Sequence, residues 1–94
     1  MRASELLTTL SIIPQDQAYI GIYFQKSQLI PFTTIKADQD GNLILYAEHE
    51  KAPLTIKELL LTLMKNKGRQ MLYWNGETTK KIYGIKESQR KIIV

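Results

Sequence analysis

His49, the only histidine of the chain, lies between the carboxylates of Glu48 and Glu50, and these three residues are the first candidates for metal binding or general-base chemistry. If they lie on a strand, successive side chains point to opposite faces, so the two carboxylates would point one way and the imidazole the other. That arrangement cannot surround one metal ion. We therefore predict a solvated strand end here and no metal site.

Other patterns that would support catalysis are weak or missing. Ser27 or Ser88 could join His49 in a hydrolytic triad only with an aspartate to orient the imidazole, and nothing in the sequence provides that orientation. Asp38 and Asp40 are close together, but they belong to a predicted hairpin turn, where aspartate is favoured for turn geometry. The five glycines form no phosphate-binding or dinucleotide-binding motif, and cysteine is absent. The sequence therefore predicts a protein that is not an enzyme, with no catalytic residue and no cofactor.

Basic residues carry the clearest functional signal, because they are concentrated towards the C-terminal end. Residues 1–47 contain three Lys or Arg and four Asp or Glu, whereas residues 48–94 contain ten and five. Several cations on one surface can neutralise phosphates, and aromatic side chains on a strand can stack on bases. The predicted nucleic-acid-binding residues, all in the segment 65–91, are Lys65, Lys67, Arg69, Tyr73, Lys80, Lys81, Lys86, Arg90 and Lys91.

The orientation of one strand is central to this hypothesis. Alternation places Arg69, Met71 and Tyr73 on one face and Leu72 and Trp74 on the other. We expect Tyr73 to face solvent among the basic side chains and Trp74 to lie in the core. The alternative is that the cations form only a solvated face, since lysine on an edge strand also protects a sheet against aggregation.

The chain contains an internal repeat, which predicts how its elements are arranged. Four segments of residues 3–48 match segments of residues 55–94, with offsets of 53 residues in the helices and 49 or 50 in the strands. Chance similarity between two helix-plus-strand units is the alternative, but the shared Ile-Lys-x-x-Gln motif has polar members that core packing does not require. The matched pairs are Ser4–Leu10 with Lys57–Leu63, Ile22–Phe24 with Leu72–Trp74, Ile35–Gln39 with Ile85–Gln89, and Leu43–Leu45 with Ile92–Val94.

Each half begins with an amphipathic helix. Apolar residues recur at helical spacing in both halves, and the Thr55-x-x-Glu58 sequence is a capping box that predicts the start of the second helix. Arg2 stands in the equivalent place in the first half, so we expect that helix to start later or to fray. Pro14 and Gly68 are the predicted stops. The predicted core stripes are Leu6, Leu7, Leu10 and Ile13 in the first helix and Ile56, Leu59, Leu60, Leu63 and Met64 in the second.

Three strand-like runs follow each helix. Asp40-Gly41 and Asn75-Gly76 predict hairpin turns, and because Gln25-Lys26 replaces Asn-Gly in the first half, the equivalent hairpins should differ. The runs cover residues 19–24, 30–37 and 43–48 in the first half and residues 70–74, 80–87 and 92–94 in the second.

The predicted fold is α+β, an αβββ unit repeated as αβββαβββ, with antiparallel sheets, both helices packed on one side and a pseudo-twofold axis between the halves. Each half is too small to bury a good core alone, so we expect the halves to pack together as a single domain over residues 1–94. The alternative is that a second chain completes a sheet at exposed strands such as Leu43–Tyr46 or Ile92–Val94.

Composition predicts a folded, cytoplasmic protein that does not enter a membrane. The chain is 44% hydrophobic and 23% charged, which is typical of soluble domains. No apolar run approaches the roughly 20 residues that cross a bilayer, and the N-terminal residues do not resemble a secretory signal.

The leading functional prediction is a small, non-enzymatic protein-interaction module that works through a sheet face or edge, with a protein partner or a second copy in a homodimer. The alternative is a nucleic-acid-binding regulator that uses residues 65–91. The Thr55-x-x-Glu58-Leu59-Leu60 segment, followed by a short loop and a strand, resembles small proteins of phages and mobile elements of low-GC bacteria. That resemblance implies no activity.

Overall fold

The computed structural model describes residues 1–12 and 19–94, which form two helices and eight strands. The α+β class and the duplicated order of a helix followed by strands are confirmed. The helices are α1 (Ala3–Ser11) and α2 (Ile56–Lys65). The strands are β1 (Gly21–Gln25), β2 (Leu29–Pro31), β3 (Thr34–Ala37), β4 (Asn42–Tyr46), β5 (Gln70–Trp74), β6 (Thr79–Lys81), β7 (Lys86–Ser88) and β8 (Lys91–Ile93).

Helix α1 begins immediately after Arg2, at the position equivalent to the start of α2. The Glu5 carboxylate accepts a hydrogen bond from the Arg2 backbone N–H at 3.1 Å, and the Ala3 N–H donates to the Arg69 carbonyl at 2.9 Å. These bonds satisfy backbone donors that are otherwise unpaired at a helix start. The expectation that this helix starts late or frays is therefore wrong, whereas α2 has the predicted capping box. The predicted stop at Pro14 lies outside the described residues.

The middle strand run of each half bends and divides between two sheets. In the first half it forms β2 and β3, with the fully buried Phe32 at the bend, and in the second half it forms β6 and β7, with the buried Ile82 there. Each half therefore supplies four strands. The first sheet has the order β2-β1-β8-β7 and the second sheet the order β3-β4-β5-β6, so each contains one hairpin from each half.

Parallel pairing between the halves makes both sheets mixed. β1 runs parallel to β8 and β4 runs parallel to β5, while the pairs within each half are antiparallel. The prediction of antiparallel sheets is wrong because neither half forms a sheet of its own. The segments Leu43–Tyr46 and Ile92–Val94 lie in or beside β4 and β8, which are paired on both sides. They are therefore central strands, and a second chain is not required to cover them.

Exchanging the two halves converts the strand order of one sheet into that of the other, as a pseudo-twofold arrangement requires. Ile22 pairs with Ile92 in the first sheet, and Met71 pairs with Leu43 in the second. Because Leu43 and Ile92 are equivalent residues of the two halves, their partners Met71 and Ile22 are also equivalent. The offset between them is 49 residues rather than the predicted 50. A shift of one residue moves every side chain of a strand to the other face.

The corrected offset reverses the predicted faces of β5. Tyr73 points inward and packs against Phe24 and Phe32, with ring centroids 6.0 Å apart in both pairs. Trp74 lies on the outer face and is 38% exposed. The predictions of a solvent-facing Tyr73 and a core Trp74 are therefore wrong. Residues 71–74 are all apolar or aromatic, so either register places apolar or aromatic side chains on the inner face, and the sequence pattern does not distinguish the two.

The inner faces of both sheets and of both helices contribute to one buried cluster, which joins the two halves. Phe24 and Phe32 stack at its centre with ring centroids 5.0 Å apart. The buried members of this cluster are Ala3, Leu6, Leu10, Tyr19, Ile22, Phe24, Phe32, Leu43, Leu45, Leu54, Leu59, Leu63, Met71, Ile82 and Ile92.

The hairpin turns differ between the halves. The β1–β2 loop spans residues 26–28 and the β5–β6 loop spans residues 75–78, as their unlike sequences predict. At the β3–β4 turn Gly41 has a φ of 83°, whereas at the equivalent β7–β8 turn Gln89 and Arg90 have φ values of 51° and 64°. Glycine adopts this region without steric cost, whereas a residue with a Cβ adopts it only with steric strain.

We expect Arg90→Gly to raise the free energy of unfolding by roughly 1 kcal/mol, because it removes the strain of a side chain in the left-handed region. Urea denaturation measures the change. Gln28→Gly is the matched control, since Gln28 is an exposed loop residue without a positive φ and a glycine there gives no such gain. An Arg90→Gly variant no more stable than the parent would contradict the positive φ at this turn.

Tyr19 brings a hydroxyl into the core that makes no well-aligned hydrogen bond among the described residues, although the Glu87 carboxylate lies close enough to act on it. Burial, with the Glu87 carboxylate adding to the effect, raises the pKa of Tyr19 to about 12. The unfolded chain ionises this group near its ordinary pKa of about 10, so the unfolded state releases the proton first as the pH rises. The contribution of Tyr19 to stability is therefore lost as the pH rises from about 10 to about 12.

We expect Tyr19→Phe to leave the free energy of unfolding at neutral pH unchanged or higher, because removal of an unpaired buried hydroxyl has little cost. The variant should also lose less stability than the parent between neutral and strongly alkaline pH. Urea denaturation at both pH values provides the comparison. A large loss at neutral pH would show that the hydroxyl makes a stabilising hydrogen bond.

Candidate binding face

The structure disperses the predicted nucleic-acid-binding residues over several surfaces. Lys81 lies on the outer face of the second sheet, Lys86 and Lys91 lie on the outer face of the first, and Tyr73 belongs to the core. No single surface therefore collects the set. The other exposed cations of the predicted set are Lys65 at the end of α2, Lys67 in the following loop, Lys80 on the edge strand β6 and Arg90 in the β7–β8 turn.

Arg69, the other predicted cation, is half-buried and supports a turn. Its Nε donates to Asn66 Oδ1 at 3.1 Å, and its Nη1 donates to the Asp38 carbonyl at 3.0 Å. The Asp38 carboxylate accepts from the N–H groups of Asp40 and Asn42 at 2.9 and 2.8 Å. Hydrogen bonds from Asn42, the side-chain one first, hold the pKa of Asp38 below its ordinary value. Asp38 thus shapes the turn as predicted, and the guanidinium of Arg69 stabilises the fold.

A different surface brings apolar, aromatic and basic side chains together on the outer face of the second sheet. Strand register places Ile44 and Leu72 side by side at its centre, with one lysine at each edge of the same row. The alternate residues of β4 and β5 belong to the core, so this row faces away from it. We call this surface the Trp74 face, and its residues are Lys36, Ile44, Tyr46, Leu72, Trp74 and Lys81.

The centre of the Trp74 face is apolar, and its two lysines are exposed. Ile44, Tyr46 and Leu72 are half-buried. Tyr46 and Trp74 each lie one residue beyond the Leu45–Tyr73 pair of β4 and β5, so the two aromatic side chains are neighbours at one end of the strip. The strip therefore presents two aliphatic side chains followed by two aromatic ones.

One lysine lies on each side of this apolar strip. The four strands of the second sheet contain no Asp or Glu. Lys36 Nζ lies 5.6 Å from the centroid of the Tyr46 ring and 3.9 Å from Glu48 Oε1. Glu48 is also bound by Lys51, at 2.9 Å from its Oε2, and this interaction is the main cause that lowers the pKa of the Glu48 carboxyl. The Glu48 carboxylate is thus already paired with two lysines.

The outer face of the first sheet repeats only part of this arrangement. Tyr23 and Ile93 pair at its centre, and Lys86 lies beside them on the edge strand β7. Lys91 Nζ is 5.4 Å from the centroid of the Tyr23 ring. Gln25 occupies the position equivalent to Trp74. The first sheet therefore has the lysine and the apolar centre but lacks the tryptophan.

The structure places His49 in solvent. β4 ends at Tyr46, and the His49 side chain is 94% exposed with its Nε2 3.7 Å from Glu50 Oε1. It borders a shallow depression of about 270 Å³ between β2 and the segment after β4. Within residues 1–12 and 19–94, no group of His, Asp and Glu side chains is arranged to hold a metal ion. In the same part of the chain, no helix has the length and apolar character needed to cross a membrane.

Comparison with protein-family models, with curated proteins and with solved structures finds no match to this chain.

Of the Trp74 face, the sequence predicted only Lys81 as a functional residue. Apolar residues occur on both faces of β4 and β5, a pattern typical of strands that are buried on both sides. A chain of 94 residues is too small to cover both outer sheet faces. That mismatch between apolar strand surface and chain length is the signal that could have predicted an exposed apolar face.

Proposed function

We propose that this protein is a cytoplasmic, non-enzymatic binding module that holds an acidic protein partner on the Trp74 face. The observation that supports this most directly is the apolar strip turned away from the core, with a lysine at each edge of its central row. An exposed apolar surface rimmed by polar residues is typical of interaction sites. The two lysines and the absence of Asp and Glu from these strands make an acidic partner the complementary one.

The composition of the face favours a protein over other ligands. Its centre is aliphatic, with Ile44 and Leu72, and its aromatic residues are Tyr46 and Trp74. Protein interfaces combine an apolar centre with tyrosine and tryptophan residues that contribute most of the binding energy. Aliphatic side chains, in contrast, offer no ring on which a base can stack.

The edges and the charge of the fold support a partner other than a second copy. β2 ends in Pro31, which has no N–H to donate, and the other edge strands carry lysines, among them Lys36, Lys81 and Lys86. Such residues oppose pairing between sheet edges. A second copy placed on the Trp74 face would bring two lysine rims together, and like charges across an interface are unfavourable.

Nucleic-acid binding is the second candidate, and one observation supports it. Tyr46 and Trp74 lie side by side, next to the row that Lys36 and Lys81 flank, so a single strand could stack bases on the rings while its phosphates contact the lysines. This site differs from the one predicted from the sequence, because Tyr73 and Arg69 are not part of it.

Selection from a random peptide library displayed on phage tests the proposal. Trp74 is the only tryptophan of the chain, so its fluorescence reports directly on this face. We expect the selected peptides to combine Asp or Glu with apolar residues and to shift Trp74 emission to shorter wavelength. We expect the charge reversals Lys36→Glu and Lys81→Glu to weaken their binding at least tenfold, and Lys57→Glu on the exposed side of α2 to leave it unchanged.

A single-stranded thymidine oligonucleotide separates the two candidates. Quenching of Trp74 with an affinity that falls steeply as salt rises would support nucleic-acid binding and contradict a protein partner. Selected peptides that bind the Lys36→Glu variant as well as the parent would exclude the Trp74 face. Concentration-dependent self-association detected by light scattering, and lost on charge reversal, would instead indicate a homodimer.

A further inference from the structure

We infer that the segment of the partner that occupies the Trp74 face is a single amphipathic α-helix with acidic residues on both sides of its apolar stripe. This inference rests on the proposed function and specifies the shape of the partner. It follows from three properties of the face: the backbone groups it offers, its width and the positions of its lysines.

The backbone of the second sheet favours a ligand that satisfies its own hydrogen bonds. A sheet face presents side chains, because the N–H and C=O groups of its strands point along the sheet to neighbouring strands. An extended peptide lying on that face would leave its own N–H and C=O groups without protein partners. At the edges, where such a peptide could pair, β3 carries Lys36 and β6 carries Lys80 and Lys81. A helix needs no such partner, because its backbone bonds are internal.

The width of the face matches one helix. Lys36, Ile44, Leu72 and Lys81 lie on four neighbouring strands. With strands roughly 4.8 Å apart, the two lysine Cα atoms are about 14 Å from each other. An α-helix with its side chains is about 10–12 Å wide, so its apolar stripe would cover the two central strands and its flanks would reach both lysines. A second sheet would extend beyond this row and bury both lysines, which is costly without paired charges.

The length of the strip sets the spacing of the contacts along the helix. Ile44 and Tyr46 are two residues apart on one strand, and Leu72 and Trp74 are two residues apart on the next. Two residues of a strand span about 6.6 Å, close to the rise of about 6 Å between positions i and i+4 of a helix. Two successive apolar positions of the stripe therefore fit the aliphatic and the aromatic ends of the strip.

Synthetic peptides of about 14 residues provide the test. The probe has leucines at i, i+3, i+4 and i+7 and glutamates on both flanks of that stripe, and its control has the same composition with the leucines spread around the helix. We expect the probe to shift Trp74 emission to shorter wavelength and to gain helical circular dichroism on binding. We expect the control peptide to bind at least tenfold more weakly. The single variants Lys36→Glu and Lys81→Glu should each weaken binding of the probe at least tenfold, since each flank contacts one lysine.

The outcomes separate this inference from the proposed function. If selected acidic peptides depend on the Trp74 face but gain no helix on binding, or if the rearranged control binds as well as the probe, the helical partner is excluded while the proposed function stands. If only one of the two lysines affects the probe, the two-sided contact is wrong. If neither the selected peptides nor the probe affects Trp74 emission, both proposals fail. Urea denaturation of each lysine variant shows whether its fold is intact. We expect no change for Lys81→Glu, whose side chain is exposed, and a small loss for Lys36→Glu, which removes the contact with Glu48.

Discussion

Replacing Phe32 by alanine is expected to lower the free energy of unfolding by about 3–5 kcal/mol, the largest stability loss that we predict for one substitution. Phe32 has no exposed surface and lies at the bend where the chain passes from the first sheet to the second. Its ring stacks on Phe24 at 5.0 Å and contacts Tyr73 edge-on at 6.0 Å. Because Phe32 and Tyr73 come from different halves, the substitution removes a contact that joins the halves as well as buried apolar area.

Tyr83→Ala is the matched control for Phe32→Ala. Tyr83 lies at the equivalent bend of the second half, one residue after Ile82, but its side chain points into solvent and it is 86% exposed. We expect this substitution to change the free energy of unfolding by less than about 0.5 kcal/mol. Urea denaturation followed by far-UV circular dichroism measures both variants. Equal losses for the two aromatic residues would contradict the central place of Phe32 in the core.

Met71→Ala and Leu72→Ala test the corrected register of β5. Met71 is buried in the core, so its truncation is expected to lower the free energy of unfolding by about 2–5 kcal/mol. Leu72 is half-buried on the outer face, and we expect its truncation to have less than half that effect. The register predicted from the sequence places Leu72 inside, so it predicts a larger stability loss for Leu72→Ala than for Met71→Ala.

The same two variants also separate stability from binding. Leu72→Ala should weaken binding of face-dependent peptides, since Leu72 is part of the Trp74 face. At a temperature where Met71→Ala remains folded, its affinity for the same peptides should be unchanged. A larger stability loss for Leu72→Ala than for Met71→Ala would overturn the orientation of β5 and, with it, the Trp74 face.

The helices and the repeat could be predicted because their signals are local. The buried residues of α1 and α2, among them Leu6, Leu10, Leu59 and Leu63, follow the spacing of one helical face. The sequence pattern misplaces the start of α1 because Glu5 and the chain around Arg69 satisfy donors that the pattern assigns to a capping side chain. The local pattern thus predicts where a helix lies better than which groups hold its ends.

The exchange of strands between the sheets could not be predicted from local signals. A run such as residues 30–37 reads as one strand, and only tertiary pairing shows that it bends at Phe32 and divides between two sheets. The parallel pairs β1·β8 and β4·β5 join residues that are far apart in the chain. Alternation alone cannot select these partners, because most of these strands offer apolar residues of similar size.

The candidate binding face depends on the same long-range information. In residues 71–74 every side chain is apolar or aromatic, so the sequence does not decide whether Tyr73 or Trp74 is buried. The pairing of Leu45 with Tyr73 places Tyr73 inside, since Leu45 is fully buried. Lys36 joins the face only because β3 pairs with β4 at Ile44. The composition of the site is therefore a property of strand pairing, and charge counts along the chain could not predict it.

The interleaving of the two halves has a consequence for how such a fold can be assembled. Each half contains one helix and four strands, and β1 and β4 each find their second neighbour in the other half. Two identical half-length chains could satisfy all of these pairings by exchanging hairpins, so the architecture is compatible with an ancestral homodimer whose gene was duplicated and fused. In such an ancestor both outer surfaces would have been the same. The tryptophan present on one surface only would then record how the two copies diverged after they shared a single polypeptide.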